Sequence, residues 1–268
     1  MRRRPAILTV FLAAQLPFSA VLFAQTDEKL PAAKAPAAAH AFSHDLSGVW
    51  IAYPGNPKFP DLPGIEVLNE KFRPPLTAWG QAFNDATRPI VGPRAVAGIE
   101  NDPVLRCMPD GPPMLITLPN PFEIVQIPGR MLVFHEETHI WRTIWADGSP
   151  LPKNPKPNWL GYSVGKWEGD TFVVETIGLN DRMWSDLLGD PRSEQMHITE
   201  RYRRLDPDTL EIQLTVVDPK SYTKPWVSPP KRCKLEKGWE IAEWHCSVDE
   251  DKDYDDAIRK PAGEAPPK

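Results

Sequence analysis

The residues best suited to chemistry begin with HEETH, His135 to His139. The string matches H-E-x-x-H. On a helix that spacing puts two imidazoles on one face, with the glutamate beside them as the general base of a zinc hydrolase. The flanks oppose that reading. RMLVF precedes the string and HIWRTIW follows it, and their β-branched and aromatic residues favour strands. Glu136, Glu137 and Thr138 then become a hairpin loop, and no third ligand follows at a familiar spacing. A hairpin still brings His135 and His139 across from each other, which keeps them as an alternative metal pair.

A second constellation is spread over two strands. His139, Trp141, Thr143 and Trp145 share one strand face, and Ile140, Arg142 and Ile144 share the other. In MHITERYRRL, His197, Thr199, Arg201 and Arg203 alternate with Met196, Ile198, Glu200 and Tyr202. Charges among Met, Ile and Tyr are costly to bury unpaired. Either they pair in the core, Arg142 with Glu200, or they line a pocket. In a pocket His139 would be a general base, Glu136 or Glu200 its orienting carboxylate, and Arg142 the anion-stabilising group. That is the outline of an acid–base lyase, isomerase or hydrolase with no organic cofactor.

Aromatic residues point to another class of function. The chain has 10 tryptophans, and such rings supply the surface that small-molecule sites use. Trp141, Trp145, Tyr162 and His197 lie in strands, while Asn180, Asp181 and Trp184 lie in ETIGLNDRMWSDL, a loop at a strand end. The leading expectation is a protein that binds a small, partly apolar molecule in a barrel mouth. The acid–base enzyme is the alternative, and an accessory role in the cell envelope is a third. No phosphate-binding glycine loop, Gly-x-Ser-x-Gly elbow or paired-cysteine metal motif is present. No cofactor is expected.

These residues need strands to position them. FEIVQI and RMLVFHE flank Pro128-Gly129, a turn signal, and HIWRTIWA ends at Asp147-Gly148. GYSVGKW and TFVVETI flank Glu168-Gly169-Asp170; MHITERYRRL and TLEIQLTVV flank Asp206-Pro207-Asp208. The shared Asp-Thr after each turn makes Asp170 and Asp208 acceptors for turn amides rather than catalysts. In TLEIQLTVV, Leu210, Ile212, Leu214 and Val216 share a face opposite Glu211, Gln213 and Thr215. About nine short antiparallel strands predict a mainly β fold, a lipocalin-like barrel or a sandwich. Before them runs a proline-rich arm, 54–121, expected to wrap the outside. It holds one short helix, LTAWGQAFNDA, capped by Thr77.

Arg2, Arg3 and Arg4, the apolar run 6–23 and Ala24 have the layout of a secretory signal peptide, with cleavage after Ala24. An alanine- and proline-rich linker, 25–44, follows. One β-rich domain spans 45–250, and an acidic, proline-containing tail spans 251–268. The formal charge of -5 moves to about -8 without the leader arginines, against nucleic acid or an anionic membrane as partner. The expected location is periplasmic or secreted, with no membrane span after cleavage. Proline, 32 residues in all, argues against a helical bundle. Three cysteines in an exported chain imply one disulfide and one thiol. CKLEKGWEIAEWHC reads as a hairpin turning at Lys237-Gly238, which sets Cys233 opposite Ala242 and ~13 Å along the strand from Cys246. A disulfide needs Cα atoms within ~7 Å. Cys107 with Cys246 is therefore expected.

The motifs PFEIVQIPGR, IWADG, GKWEGDTFVVET, LND, ERYRRLDPDTLEI and DPKSYTKPW, in that order, resemble a family of uncharacterised exported proteins of acidobacteria and some proteobacteria. The resemblance covers Pro121 to Trp226. Its acid and histidine before an arginine match Glu136, His139 and Arg142, whereas Tyr162 stands where that pattern has histidine. It implies export and no particular activity. Separately, Gly48-Val49-Trp50 at the head of a meander resembles the lipocalin-like calycin barrels, where such a tryptophan closes one end.

Overall fold

The computed structural model describes residues 44–52, 72–244, 246, 255–261 and 263. The expected signal peptide, most of the linker and residues 54–71 of the arm lie outside the described residues. Ten strands form: β1 (Gly48–Ile51), β2 (Phe122–Ile127), β3 (Arg130–His135), β4 (Ile140–Trp145), β5 (Tyr162–Glu168), β6 (Thr171–Ile177), β7 (His197–Asp206), β8 (Thr209–Val217), β9 (Trp226–Val227) and β10 (Lys231–Leu235). Strands β1 to β8 pair in sequence order, and β10 joins β1 to β8. The wall is thus a closed nine-stranded barrel, with β9 added to the far end of β8. Closure leaves no continuous sheet edge, which is what lets so many short strands persist in water.

One departure from the expected all-antiparallel meander matters for function. Strands β4 and β5 run parallel and share only two register pairs, Ile144 with Ser163 and Trp145 with Val164. The sixteen residues between them, 146–161, include Pro150, Pro152, Pro155 and Pro157. A hairpin would reverse the chain; a parallel return needs a crossover of about a dozen residues or more. This crossover is that long, and its prolines keep it extended.

The interior follows the period-two pattern. Trp50, Ile124, Met131, Ile144, Phe172, Val174, Ile198, Leu210, Leu214 and Val216 face inward and form one apolar cluster. The Trp50 indole donates to the Leu46 carbonyl at 2.8 Å, which satisfies its one polar group.

The arm does more than wrap. Helix α1 (Ala78–Ala86) is capped by Thr77, whose Oγ1 accepts from the Gly80 amide at 3.0 Å. Residues 110–118 are buried throughout, and they include a one-turn helix, α2 (Met114–Thr117), that plugs an end of the barrel. Lys231 Nζ donates to the Ile116 carbonyl at 2.8 Å and also to that of Leu118, pinning the plug. Ile116 joins the barrel core, while Met114 and Leu118 pack with Met183 and Trp184 in a second cluster. Burial of apolar surface drew the end of the arm inside, because a barrel mouth left open would expose that core.

The disulfide joins Cys107 to Cys246, with Cα atoms 5.5 Å apart, and Cys233 is a buried free thiol. The local premise is corrected, however. Lys237-Gly238 is a turn, but β10 ends at Leu235 and no strand follows it in residues 236–244. Both edges of β10 are already taken, by β1 and by β8, so a hairpin partner has nowhere to pair.

Candidate functional site

Where the β4–β5 ladder shrinks to two pairs, the barrel wall carries a groove. Its first hollow, about 250 Å³, lies between Trp141, Thr143, Asn158, Leu160 and Tyr162. The second, about 430 Å³, lies between Trp145, Ser149, Pro150, Pro152 and Tyr162. Trp145, Tyr162 and Ser163 border both, so the two form one trough. Alternation sets the outward rings: Arg142 and Ile144 point into the barrel, hence Trp141, Thr143 and Trp145 point out. Trp141 is 59% exposed, Trp145 46% and Tyr162 38%. Arg130 stacks over Trp145 with its guanidinium carbon 5.7 Å from the ring centre.

The floor is held by the crossover. Asn158 Oδ1 accepts from the amides of Leu160 and Gly161 at 3.0 and 2.7 Å. Gly161 adopts φ +70°, and a Cβ there would lie 2.7 Å from the Ile177 carbonyl oxygen. Only glycine accommodates both conditions.

Beneath the groove lies the ion pair that the strand pattern suggested. Arg142 donates through Nη1 and Nη2 to Glu200 at 3.0 and 2.7 Å, and through Nη2 to Ser163 and Thr176 at 2.9 and 3.1 Å. Tyr202 donates to Glu200 Oε2, the oxygen that also accepts from Arg142 Nη1, at 2.6 Å. Burial alone would lower the Arg142 pKa, but the charges of Glu200 and Tyr202 and the hydrogen bond to Glu200 together outweigh it and raise the value. Burial and then Glu200 push the Tyr202 phenol well up. This network is closed to solvent, with Arg142 at 2% exposure and Glu200 at 0%. It positions β4 and β7; it does not present a reacting group.

The other expected catalytic residues do not converge on it. His139 is exposed on the turn between β3 and β4, and its ring bonds to no carboxylate among the described residues. Glu136 Oε2 accepts from the Ala242 amide at 3.0 Å. Thr138 and His139 hold left-handed backbone, φ 59° and 48°, which is strained for a β-branched residue. His135 points inward against Phe122, ring centres 5.8 Å apart, with its pKa lowered well below the ordinary value by burial, then Arg142 and Lys231. HEETH is therefore a strand end and a turn, with one histidine inside the barrel and the other outside. Among the described residues no group of three or more His, Cys, Asp or Glu could hold a metal ion.

The expected ligand contacts separate into two groups. Trp141, Trp145 and Tyr162 meet in the groove. His197 bonds to Glu175 on the outer face, two strands from Tyr162. Asn180 is buried, bonding to Arg192 through both its backbone carbonyl and Oδ1; Trp184 belongs to the second core cluster, and Asp181 is exposed. The sequence reading omitted Thr143, Asn158, Pro150 and Pro152 from the site. The signal for them was the proline run after Asp147-Gly148, which rules out a tight hairpin.

A separate cluster also went unnoticed. Asp110 is 0% exposed, and neither of its carboxylate oxygens has a hydrogen-bond partner; Asp102 Oδ2 and Thr138 Oγ1 are likewise buried without one. Burial, then the charges of Glu137 and Asp102, raises the Asp110 pKa to about 7, against the pull of Arg192.

No family model, curated protein or solved structure matches this chain.

Proposed function

We propose that the protein binds a small, partly apolar molecule, or a section of a longer one, in the groove between β4 and β5. The observation that carries this reading is the convergence of three exposed aromatic rings, Trp141, Trp145 and Tyr162, on one trough. Exposed rings of this size cost solvation free energy that a ligand recovers, and such clusters mark binding surfaces more often than chance exposure does. The barrel core fixes the rings by their strand register, so the surface is formed before the ligand arrives. The Arg142–Glu200 network below supports positioning rather than catalysis, which favours binding over acid–base turnover.

Export to an oxidising compartment, periplasmic or secreted, is part of the same proposal. It rests on the arginine-led apolar leader and on a disulfide, which forms and persists in such compartments. No helix among the described residues is long and apolar enough to cross a membrane.

The test is tryptophan fluorescence titrated against aromatic, terpenoid and carbohydrate compounds, in the parent protein and in a Trp141→Ala, Trp145→Ala double variant. A ligand that quenches the parent and not the double variant supports the groove. Quenching that survives in the double variant would relocate the site.

A further inference from the structure

Resting on that groove, we infer that its ligand is a neutral glycan chain laid along the β4–β5 seam. Shape is the first argument. A compact apolar molecule gains most from a pocket that buries 70–90% of its surface. This trough instead runs on from one hollow to the next past Trp145 and Tyr162, which suits a polymer that enters at one end and leaves at the other.

Ring spacing is the second. Trp141 and Trp145 are four residues apart on β4, ~13 Å along the strand. Ile144 pairs with Ser163, so Tyr162 sits level with Thr143, midway between them. The strand positions that carry the rings therefore step along the seam by ~7 Å, two residues at a time. That step exceeds the advance of one β-1,4-linked pyranose residue, but it lies nearer to it than to the repeat of the competing chain. A polyproline II peptide, the other chain that favours aromatic grooves, presents the same face every ~9 Å, three residues of ~3.1 Å each, and fits the step less well.

Chemistry is the third. A pyranose is an amphipathic disc, with C–H faces that pack on aromatic rings and a hydroxyl rim that needs donors and acceptors. The trough supplies both. Thr143, Asn158 and Ser149 lie between and beside the rings, and the Tyr162 hydroxyl adds a further donor. Charge is sparse along it: Arg130 is engaged over Trp145, Arg142 at the first hollow is paired with Glu200, and Asp147 accepts from the Ser149 amide at 2.9 Å. No cationic row lines the trough among the described residues, so an acidic polysaccharide gains little there, and the formal net charge of -5 opposes it.

The experiment titrates the full-length protein with β-1,4-linked gluco-, xylo- and mannohexaose, followed by calorimetry and tryptophan fluorescence. At least one hexaose is expected to bind, with affinity rising from di- to tetrasaccharide as successive rings are covered. Trp141→Ala, Trp145→Ala and Tyr162→Ala should each weaken binding at least fivefold. Trp239→Ala, an exposed tryptophan elsewhere, should leave it within twofold. The inference is overturned if none of the hexaoses binds while an apolar compound or a proline-rich peptide does so in a Trp141- and Trp145-dependent way; the groove reading then survives. If no probe of any class depends on these rings, both fail. Loss of binding in Trp239→Ala alone also overturns the inference.

Discussion

Asp110 should make this fold lose stability as the pH rises from about 4 to about 7, and Asp110→Asn should remove most of that loss. The carboxyl is 0% exposed with no hydrogen-bond partner on either oxygen. Burial first, and Glu137 and Asp102 second, raise its pKa from 3.8 to about 7, with Arg192 opposing. The unfolded chain keeps the ordinary value, so the folded state holds its proton over the window between the two. Stability is full below pH ~4, falls as pH rises to ~7, and levels off above that. At about 1.4 kcal/mol for each pH unit between the two values, the loss is about 4 kcal/mol. Asp102 and Glu137 are raised as well, mainly by burial, so they slope the same way. A comparison of parent and variant isolates Asp110 from both. The assay is urea unfolding at constant ionic strength from pH 4 to 8.5, with the disulfide intact. The asparagine amide introduces a buried donor whose cost is independent of pH, so the difference in slope is the readout rather than the difference in stability. Parallel pH profiles for the two proteins would refute the reasoning. They would mean that Asp110 is solvated or paired, not isolated.

Three further outcomes are expected. Glu200→Gln leaves the Arg142 cation buried beside a neutral amide and should cost about 3–5 kcal/mol in urea unfolding, with Arg142→Met in the same chain restoring part of it. Cys107→Ser opens a crosslink between residues 139 apart and should lower stability by up to about 4–5 kcal/mol on the chain-entropy account, measured by thermal unfolding against the oxidised, disulfide-intact parent. Thr77→Ala removes the acceptor for the Gly80 amide at the start of α1 and should cost about 1 kcal/mol in urea unfolding.

Much of the barrel was legible because its strands alternate. TLEIQLTVV buries Leu210, Ile212, Leu214 and Val216 along one face, and the turns at Gly169 and Pro207 fall where acidic, Gly- or Pro-containing stretches interrupt that alternation. Local patterns carry local geometry well. They failed where the decisive partner was remote. The stretch after Cys233 resembles a hairpin in isolation, but β1 and β8 had already occupied the edges of β10. The arm reads as irregular chain, yet 110–118 is buried because a barrel end needs a plug. Asp110 was invisible for the same reason. Its environment is assembled from residues 102, 137 and 192, none of them near it by any periodic rule.

The candidate site shows how far one strand can be read. Period two forces Arg142 and the two tryptophans to opposite sides of β4 wherever the strand lies. A charge among Ile140, Ile144 and the residues of β7 had to find a countercharge, and Glu200 was within the same reasoning. The outward side has no comparable constraint, since Trp141 and Trp145 could as well have been covered by a neighbouring element. What opens a trough beside them is the short pairing with β5. An antiparallel β5 would have continued the ladder along all of β4; the parallel return spends sixteen residues on the crossover and pairs at only two positions. The same event that breaks the wall's pairing opens the trough and sets Tyr162 between the two indoles. The exposed aromatic face and the buried ion pair are thus the two sides of one strand.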